Sequence, residues 1–357
     1  MDFTKMTPKQ AQEYLANRNI LKDIQLPILD SSQLLPDQTY PHIINVIEGM
    51  LTELHKQHQL LLPMLRESET ISVFSDYGGD HKEALFHTYS FLFVEWNNTA
   101  FFFDKMAELR EKYKLNKPFK EIEYKQLHYG PINRSLQDYL YLANNTVNGL
   151  LFNLIVEKII YSILGPNKKE TIKEVKTIIE KENLGTYNPH TAEKVLRIIH
   201  IIGYFTRLLS KQGQKVFWMT DNDAIIPDIN NSKGFRELFG NILALYAPSS
   251  NYYNLTGYAV PFKKENQGDK PMIDLLSLTD LSAGAIEHYF TRDKKMAELT
   301  VKEHANKIVM WLALQGIGLK KLNVVVRDDG KGNVKIGLID FKLKQPLNGS
   351  HFINIRL

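Results

Sequence analysis

The chain contains no cysteine among its 357 residues. That absence excludes disulfides, thiolate-bound zinc, iron–sulfur clusters and a cysteine nucleophile, and it fits a reducing cytoplasm. Excess charge is also scarce. With 44 Lys+Arg against 40 Asp+Glu the formal net charge is +4, so any nucleic-acid surface must come from local basic clustering. The first residues, MDFTKMTPKQ, lack the apolar core of a signal segment. No run reads as a membrane span. The most apolar stretch, Val147 to Leu164, is interrupted by Asn153, Glu157 and Lys158, and it predicts a buried helix. The eleven histidines show no HxxxH or HExxH spacing. There is no internal repeat and no low-complexity tract. What is plentiful is apolar side chain, at 43% of residues. That is ample for a core, and the length allows one large domain or two.

The most informative stretch runs from Glu69 to His81. Ile71, Val73 and Phe74 predict a short buried strand. Asp76 falls where the strand gives out, and Gly78 and Gly79 permit a sharp turn. A carboxylate at the mouth of a buried strand can hold a divalent cation, because an unpaired charge there is costly. The plainer role is a carboxylate that accepts hydrogen bonds from its own turn.

Residues 1–68 predict helices, one starting at Thr7-Pro8 and one from Pro41 towards Pro63. Ile43, Ile44, Ile47, Met50, Leu51 and Leu54 give the second an apolar stripe. That stripe either packs on the main domain or serves as an arm for a second copy or a partner protein. A strand over Leu85–Glu95 pairs with the first, and a helix covers Phe101–Tyr113. The basic residues Lys112, Lys114, Lys117 and Lys120 are a candidate nucleic-acid track or an ordinary solvated loop. They lead into an expected strand over Phe119–Leu127, where Glu121, Glu123 and Lys125 alternate onto one face. Residues 132–212 predict a helical block: Arg134–Leu164, Lys168–Asn183 and Thr191–Ser210. A strand from Lys215 ends in Asp221 and Asp223. A helix near Phe235–Tyr246, a long loop over 247–272 and a helix over Asp274–Phe290 follow. Asp280 is placed early in that last helix, one turn before the small pair Ala283-Gly284. A helix over 301–315 and a hairpin from Asn323 to Leu343 complete the chain.

Asp76, Asp221 with Asp223, and Asp280 each follow or interrupt an apolar element, and Glu123 or Glu121 adds a fourth position. Carboxylates without histidine or cysteine favour Mg²⁺ or Mn²⁺. Two such ions about 3.5–4 Å apart can clamp the attacking and leaving oxygens of a phosphodiester. The order of these motifs resembles the RNase H-like superfamily. Within it, the chain looks like a bacterial family whose first strand ends Asp-Glu-Ser-Gly and whose helix reads roughly Leu-Ala-Asp-Leu-x-Ala-Gly. Ser75-Asp76-Tyr77-Gly78-Gly79, Ile122-Glu123-Tyr124-Lys125, Trp218 to Asp223, and Leu278-Thr279-Asp280-Leu281-Ser282-Ala283-Gly284 take the corresponding places. The resemblance covers about residues 70–290. Tyr77 and Gly78 depart from it by replacing the family's Glu and Ser.

The resemblance implies an α/β fold, an RNase H-like mixed central sheet flanked by helices, over a domain at 69–300 whose helical insertion 132–212 is larger than such a core needs. The N-terminal helical arm (1–68) and the C-terminal helix and hairpin (301–357) have no counterpart in that family. It implies metal-dependent cleavage of DNA or RNA. The expected catalytic residues are Asp76, Glu123, Lys125, Asp221 and Asp280, and the expected metal ligands are Asp76, Asp221, Asp223 and Asp280. Bacterial defence is a setting that such a nuclease would suit. Two other readings compete: a non-catalytic RNase H-like subunit that binds nucleic acid or protein, and a glycosyltransferase whose Asp221-x-Asp223 pair holds Mn²⁺ and a diphosphate.

Overall fold

The run Gly149–Glu157, GLLFNLIVE, is a strand buried at every position, not the continuation of a helix. The helix before it ends at Thr146. This corrects the expected helix over 134–164, and with it the description of 132–212 as wholly helical. The run is apolar on both faces because the strand lies inside a sheet with a core on each side, and in that setting alternation vanishes.

The computed structural model describes residues 7, 9, 40–116, 119–181, 186–221, 225, 232–249, 252–259, 270–294, 303–331, 333–344 and 352–356. In chain order the elements are α1 (His42–Lys56), β1 (Thr70–Gly78), β2 (Phe86–Glu95), α2 (Ala100–Lys112), α3 (Gly130–Thr146), β3 (Gly149–Glu157), α4 (Lys169–Lys181), α5 (Pro189–Leu209) and β4 (Lys215–Thr220). They continue with α6 (Ser232–Tyr246), β5 (Leu255–Ala259), α7 (Lys270–Lys294), α8 (Glu303–Ala313), β6 (Leu319–Asp328), β7 (Val334–Leu338), β8 (Asp340–Lys344) and β9 (Phe352–Arg356). Strand β5 lies within the stretch expected to be loop. The helix expected from Thr7 lies outside the described residues.

The protein is α/β. Seven strands form one mixed sheet in the order β5-β4-β1-β2-β3-β6-β7, and β8 pairs with β9 separately. Strands β1, β2 and β3 are antiparallel neighbours. Strand β4 runs parallel to β1, and β5 runs parallel to β4. On one face Val73, Phe91, Phe152 and Trp218 form a core with α1, α4, α5 and α6. On the other, Phe74, Leu92, Leu151 and Met219 pack against α2, α3, α7 and α8. Strand alternation assigns each residue to a layer. The stripe Ile43, Ile44, Ile47 and Leu51 of α1 is buried in the first core, so it belongs to this chain's own packing. No helix among the described residues is long and apolar enough to cross a membrane.

Candidate functional site: an acid-lined edge under a buried helix

Asp76 and Asp221 arrive at the same place by register. Ser75 pairs with Thr220 across parallel β1 and β4, and the Asp221 N–H donates to the Ser75 carbonyl at 3.1 Å. Asp76 and Asp221 are therefore successive neighbours at the carboxyl ends of two adjacent strands. Asp76 shares parity with Phe74, and Asp221 shares it with Met219. Both of those apolar residues lie in the core beneath α7, so both acids belong to the α7 face. Asp76 is buried, and one of its oxygens accepts from the Tyr77 N–H at 2.6 Å.

Helix α7 brings the third acid. It begins at Lys270, so Asp280 lies in its middle and not near its start, and the helix N-terminus has no part in holding it. Two polar contacts seat the helix on the sheet: Thr88 Oγ1 donates to the Ala283 carbonyl at 3.0 Å, and Ser282 Oγ donates to Asn153 Oδ1 at 2.8 Å. The small pair Ala283-Gly284 permits this closeness. A Cβ on Gly284 would stand 2.5 Å from the Tyr124 ring, so no larger residue fits that contact.

The segment bearing Glu121 and Glu123 is not a strand. Among the described residues only an isolated bridge, Asn116 to Phe119, pairs here, and a single 3-10 turn covers Tyr124–Gln126. With no neighbouring strand to provide a ladder, the backbone finds other partners. Arg110 donates to the Lys120 carbonyl at 2.8 Å, and the Tyr124 N–H donates to Asp280 Oδ2 at 2.5 Å. Arg110 is itself clamped by Asp274. Its Nε reaches both carboxylate oxygens at 3.0 and 3.1 Å, and a second guanidinium nitrogen bonds Oδ1. Tyr139 donates to the Asp274 carbonyl. Ile122 and Leu127 anchor the strap in the core.

These acids perturb one another. Burial raises the Asp280 carboxyl to about 7. The Tyr124 N–H opposes that rise, Glu123 and Asp221 add to it, and Lys125 again opposes it. Burial also raises Glu121, to about 8, with further repulsion from Glu123, Asp280 and Asp221. Two carboxyls that retain protons near neutral pH, surrounded by more carboxylates, mark a place where positive charge would be favoured. The donors are all oxygen, the kind that hard divalent cations take. Among the described residues, no group of three or more histidine, aspartate or glutamate side chains is already arranged to hold a metal ion. Asp223 lies outside the described residues.

The structure thus gathers Asp221, Asp280, Glu121 and Glu123 into one electrostatic cluster, with Lys125 near enough to act on Asp280. Asp76 lies beside Asp221 on the same face. The expected basic track is less uniform. Lys112 donates to Asp138 at 2.7 Å, Lys120 lies over the Tyr129 ring at 5.7 Å, Lys114 is exposed, and Lys117 lies outside the described residues. Tyr77 is on the opposite face from Asp76. Its hydroxyl lies 2.7 Å from Ser75 Oγ and accepts from Thr220 Oγ1 at 3.0 Å. Its presence in place of an acid therefore takes nothing from the α7 face. Sequence reading missed Arg110 and Asp274, which position the strap. Their only signal was a charged residue inside an otherwise apolar helical stripe.

No protein-family model matches the chain, and neither does any curated protein.

Proposed function

We propose that the chain is a metal-dependent nuclease with an RNase H-like core. The observation that carries the reading is the electrostatic cluster of Asp221, Asp280, Glu121 and Glu123, with Asp76 beside Asp221 on the same face at the carboxyl ends of β1 and β4. The sheet supports it. An antiparallel β1–β2–β3 meander, extended beyond β1 by parallel β4 and β5, with helices on both faces, suits an RNase H-like core. A glycosyltransferase reading needs only the Asp221-x-Asp223 pair and gives Asp280 and Glu121 no part.

Asp76, Asp221 and Asp280 would hold Mg²⁺ or Mn²⁺, with Asp223 and Glu123 as further ligands. A bound ion supplies charge stabilisation for a phosphodiester and a lower pKa for water. The protein's own contribution is placement. β1 and β4 fix two carboxylates, α7 fixes a third, and Tyr124 orients Asp280 through its backbone N–H. Lys125, exposed at the rim, contacts a phosphate of DNA or RNA. Glu121, raised to about 8 in the metal-free chain, would give up its proton as a cation binds beside it. Incubating the chain with single- and double-stranded DNA and RNA tests the proposal. Cleavage should require Mn²⁺ or Mg²⁺, stop with EDTA, and be lost in Asp76→Asn and Asp280→Asn, both folded. Normal cleavage by either variant would remove the reading.

A further inference from the structure

The opposite face of the same sheet edge carries a second cleft, of about 360 Å³, lined among others by Asp80, His87, Lys158, His190, Lys194 and Arg197. It lies on the face of Tyr89, which packs in the core beneath α5. Its cations come from two elements. Lys158 follows β3 directly, while Lys194 and Arg197 lie on one side of α5, three residues apart. Arg197 is committed: its Nε donates to Glu193 at 3.1 Å and a terminal nitrogen donates to the Tyr89 hydroxyl at 3.2 Å. Glu193 is committed too, accepting also from the Ile163 N–H at 2.9 Å. The two lysines are held differently. Lys158 Nζ donates to the His81 carbonyl at 2.7 Å, and Lys194 Nζ donates to Asp80 Oδ2 at 2.9 Å. Their acceptors are consecutive residues, so both ammoniums bracket one short piece of chain.

That piece is the turn after Asp76. Gly79 adopts φ +93°, and a Cβ there would lie 2.0 Å from the Phe86 carbonyl oxygen. Only glycine can follow this course, which delivers Asp80 to the cleft. The Asp80 side chain is 59% exposed, and it faces His87 Nδ1 at 3.4 Å as well as Lys194. A solvent-facing carboxylate held by a lysine and a histidine stands where the oxygens of an exogenous anion would stand. The His87 hydrogen bond, with the Lys194 charge behind it, keeps Asp80 ionised far below the ordinary carboxylate range. Burial lowers Lys158, a change that a bound anion would reverse.

We infer that this cleft is a phosphate-binding site in which the Asp80 carboxylate occupies the ligand's place until a phosphate group displaces it. Lys158 and Lys194 would each donate to the phosphate oxygens, and an ammonium has three donors to give. The site stands independently of the nuclease proposal. The phosphate would be free or would belong to a nucleic-acid backbone crossing the sheet edge.

Isothermal titration of the full chain with inorganic phosphate, in EDTA, tests this with wild type, Lys158→Met, Asp80→Asn and Asp280→Asn, all checked for folding by circular dichroism. Wild type should bind phosphate saturably. Lys158→Met should weaken binding about tenfold or more, through loss of a charge-assisted donor. Asp80→Asn should tighten it, because the competing charge is removed, and Asp280→Asn should leave it unchanged. A short single-stranded oligonucleotide that displaces phosphate, and is itself weakened in Lys158→Met, identifies the backbone as the source. Failure to displace leaves free phosphate as the ligand. No binding by wild type, an unaltered Lys158→Met, or weaker binding by Asp80→Asn would overturn the inference.

Discussion

Asp274 and Asp280 lie six residues apart on α7, and they are held in opposite ways. Asp274 is clamped by the Arg110 guanidinium in an ion pair whose two side chains are 3% and 4% exposed. Burial raises its carboxyl while Arg110 pulls it down. Asp280 has one backbone N–H and the Lys125 charge to set against its burial and two crowding acids. The first arrangement satisfies a charge within the fold. The second leaves charge to be satisfied from outside. Burial alone does not separate a structural acid from a site acid; the sign of the neighbouring charges does.

Removing one partner of a buried pair leaves the other uncompensated, so Asp274→Ala should cost about 3–5 kcal/mol in denaturant unfolding. The double variant Arg110→Met, Asp274→Leu should recover much of that. A loss well under 1 kcal/mol would mean that the pair does not hold the strap. Next in size is Gly284→Ala, whose Cβ would meet the Tyr124 ring at 2.5 Å. An overpacked contact of this kind costs about 1–3 kcal/mol, and the displaced Tyr124 should let go of Asp280. Thermal melts, together with the pH profile of the same variant, would show both effects.

The pH profile sharpens the contrast. Asp280 and Glu121 are raised above their ordinary values, to about 7 and about 8. The folded state therefore binds protons more tightly than the unfolded chain, and stability falls as pH rises through that interval. Metal-free wild type should lose stability between about pH 4 and 8. Asp280→Asn should lose less over that interval, because its raised carboxyl is gone. At pH 8 the variant should equal or exceed wild type. A variant that is less stable by the same amount at every pH would show that Asp280 is structural, like Asp274. The smallest effect belongs to Tyr77→Phe. Losing the hydroxyl shared with Ser75 and Thr220 should cost about 0.5–1.5 kcal/mol and leave Mn²⁺ affinity unchanged, because Tyr77 lies on the far face. A lowered affinity would bring Tyr77 into the site.

Much of this was legible in the residues. Strand β1, its partner β2, strand β4 and helix α7 follow from alternation, glycine and apolar periodicity, and so do the positions of Asp76 and Asp221 towards the ends of their strands. What was not legible has physical reasons. Strand β3 is apolar on both faces, which is the pattern of a buried helix as much as of a central strand. Strand β5, Leu255–Ala259, is short and sits among turn-forming residues. The strap at 119–127 alternates like a strand, yet among the described residues it joins no ladder of the sheet, and the Tyr124 N–H finds its acceptor in Asp280, 156 residues on. The Arg110–Asp274 clamp spans 164 residues, and a charge inside an apolar helical stripe does not say which partner it meets.

The most direct test is calorimetric titration of Mn²⁺ at pH 7 into wild type and Asp280→Asn, repeated in buffers of different ionisation enthalpy. Wild type should bind saturably and release protons, since Asp280 and Glu121 retain them near that pH. Asp280→Asn should bind at least tenfold more weakly and release fewer. Equal binding by the two proteins, or binding by wild type without proton release, would contradict the assignment of these crowded acids as a cation site.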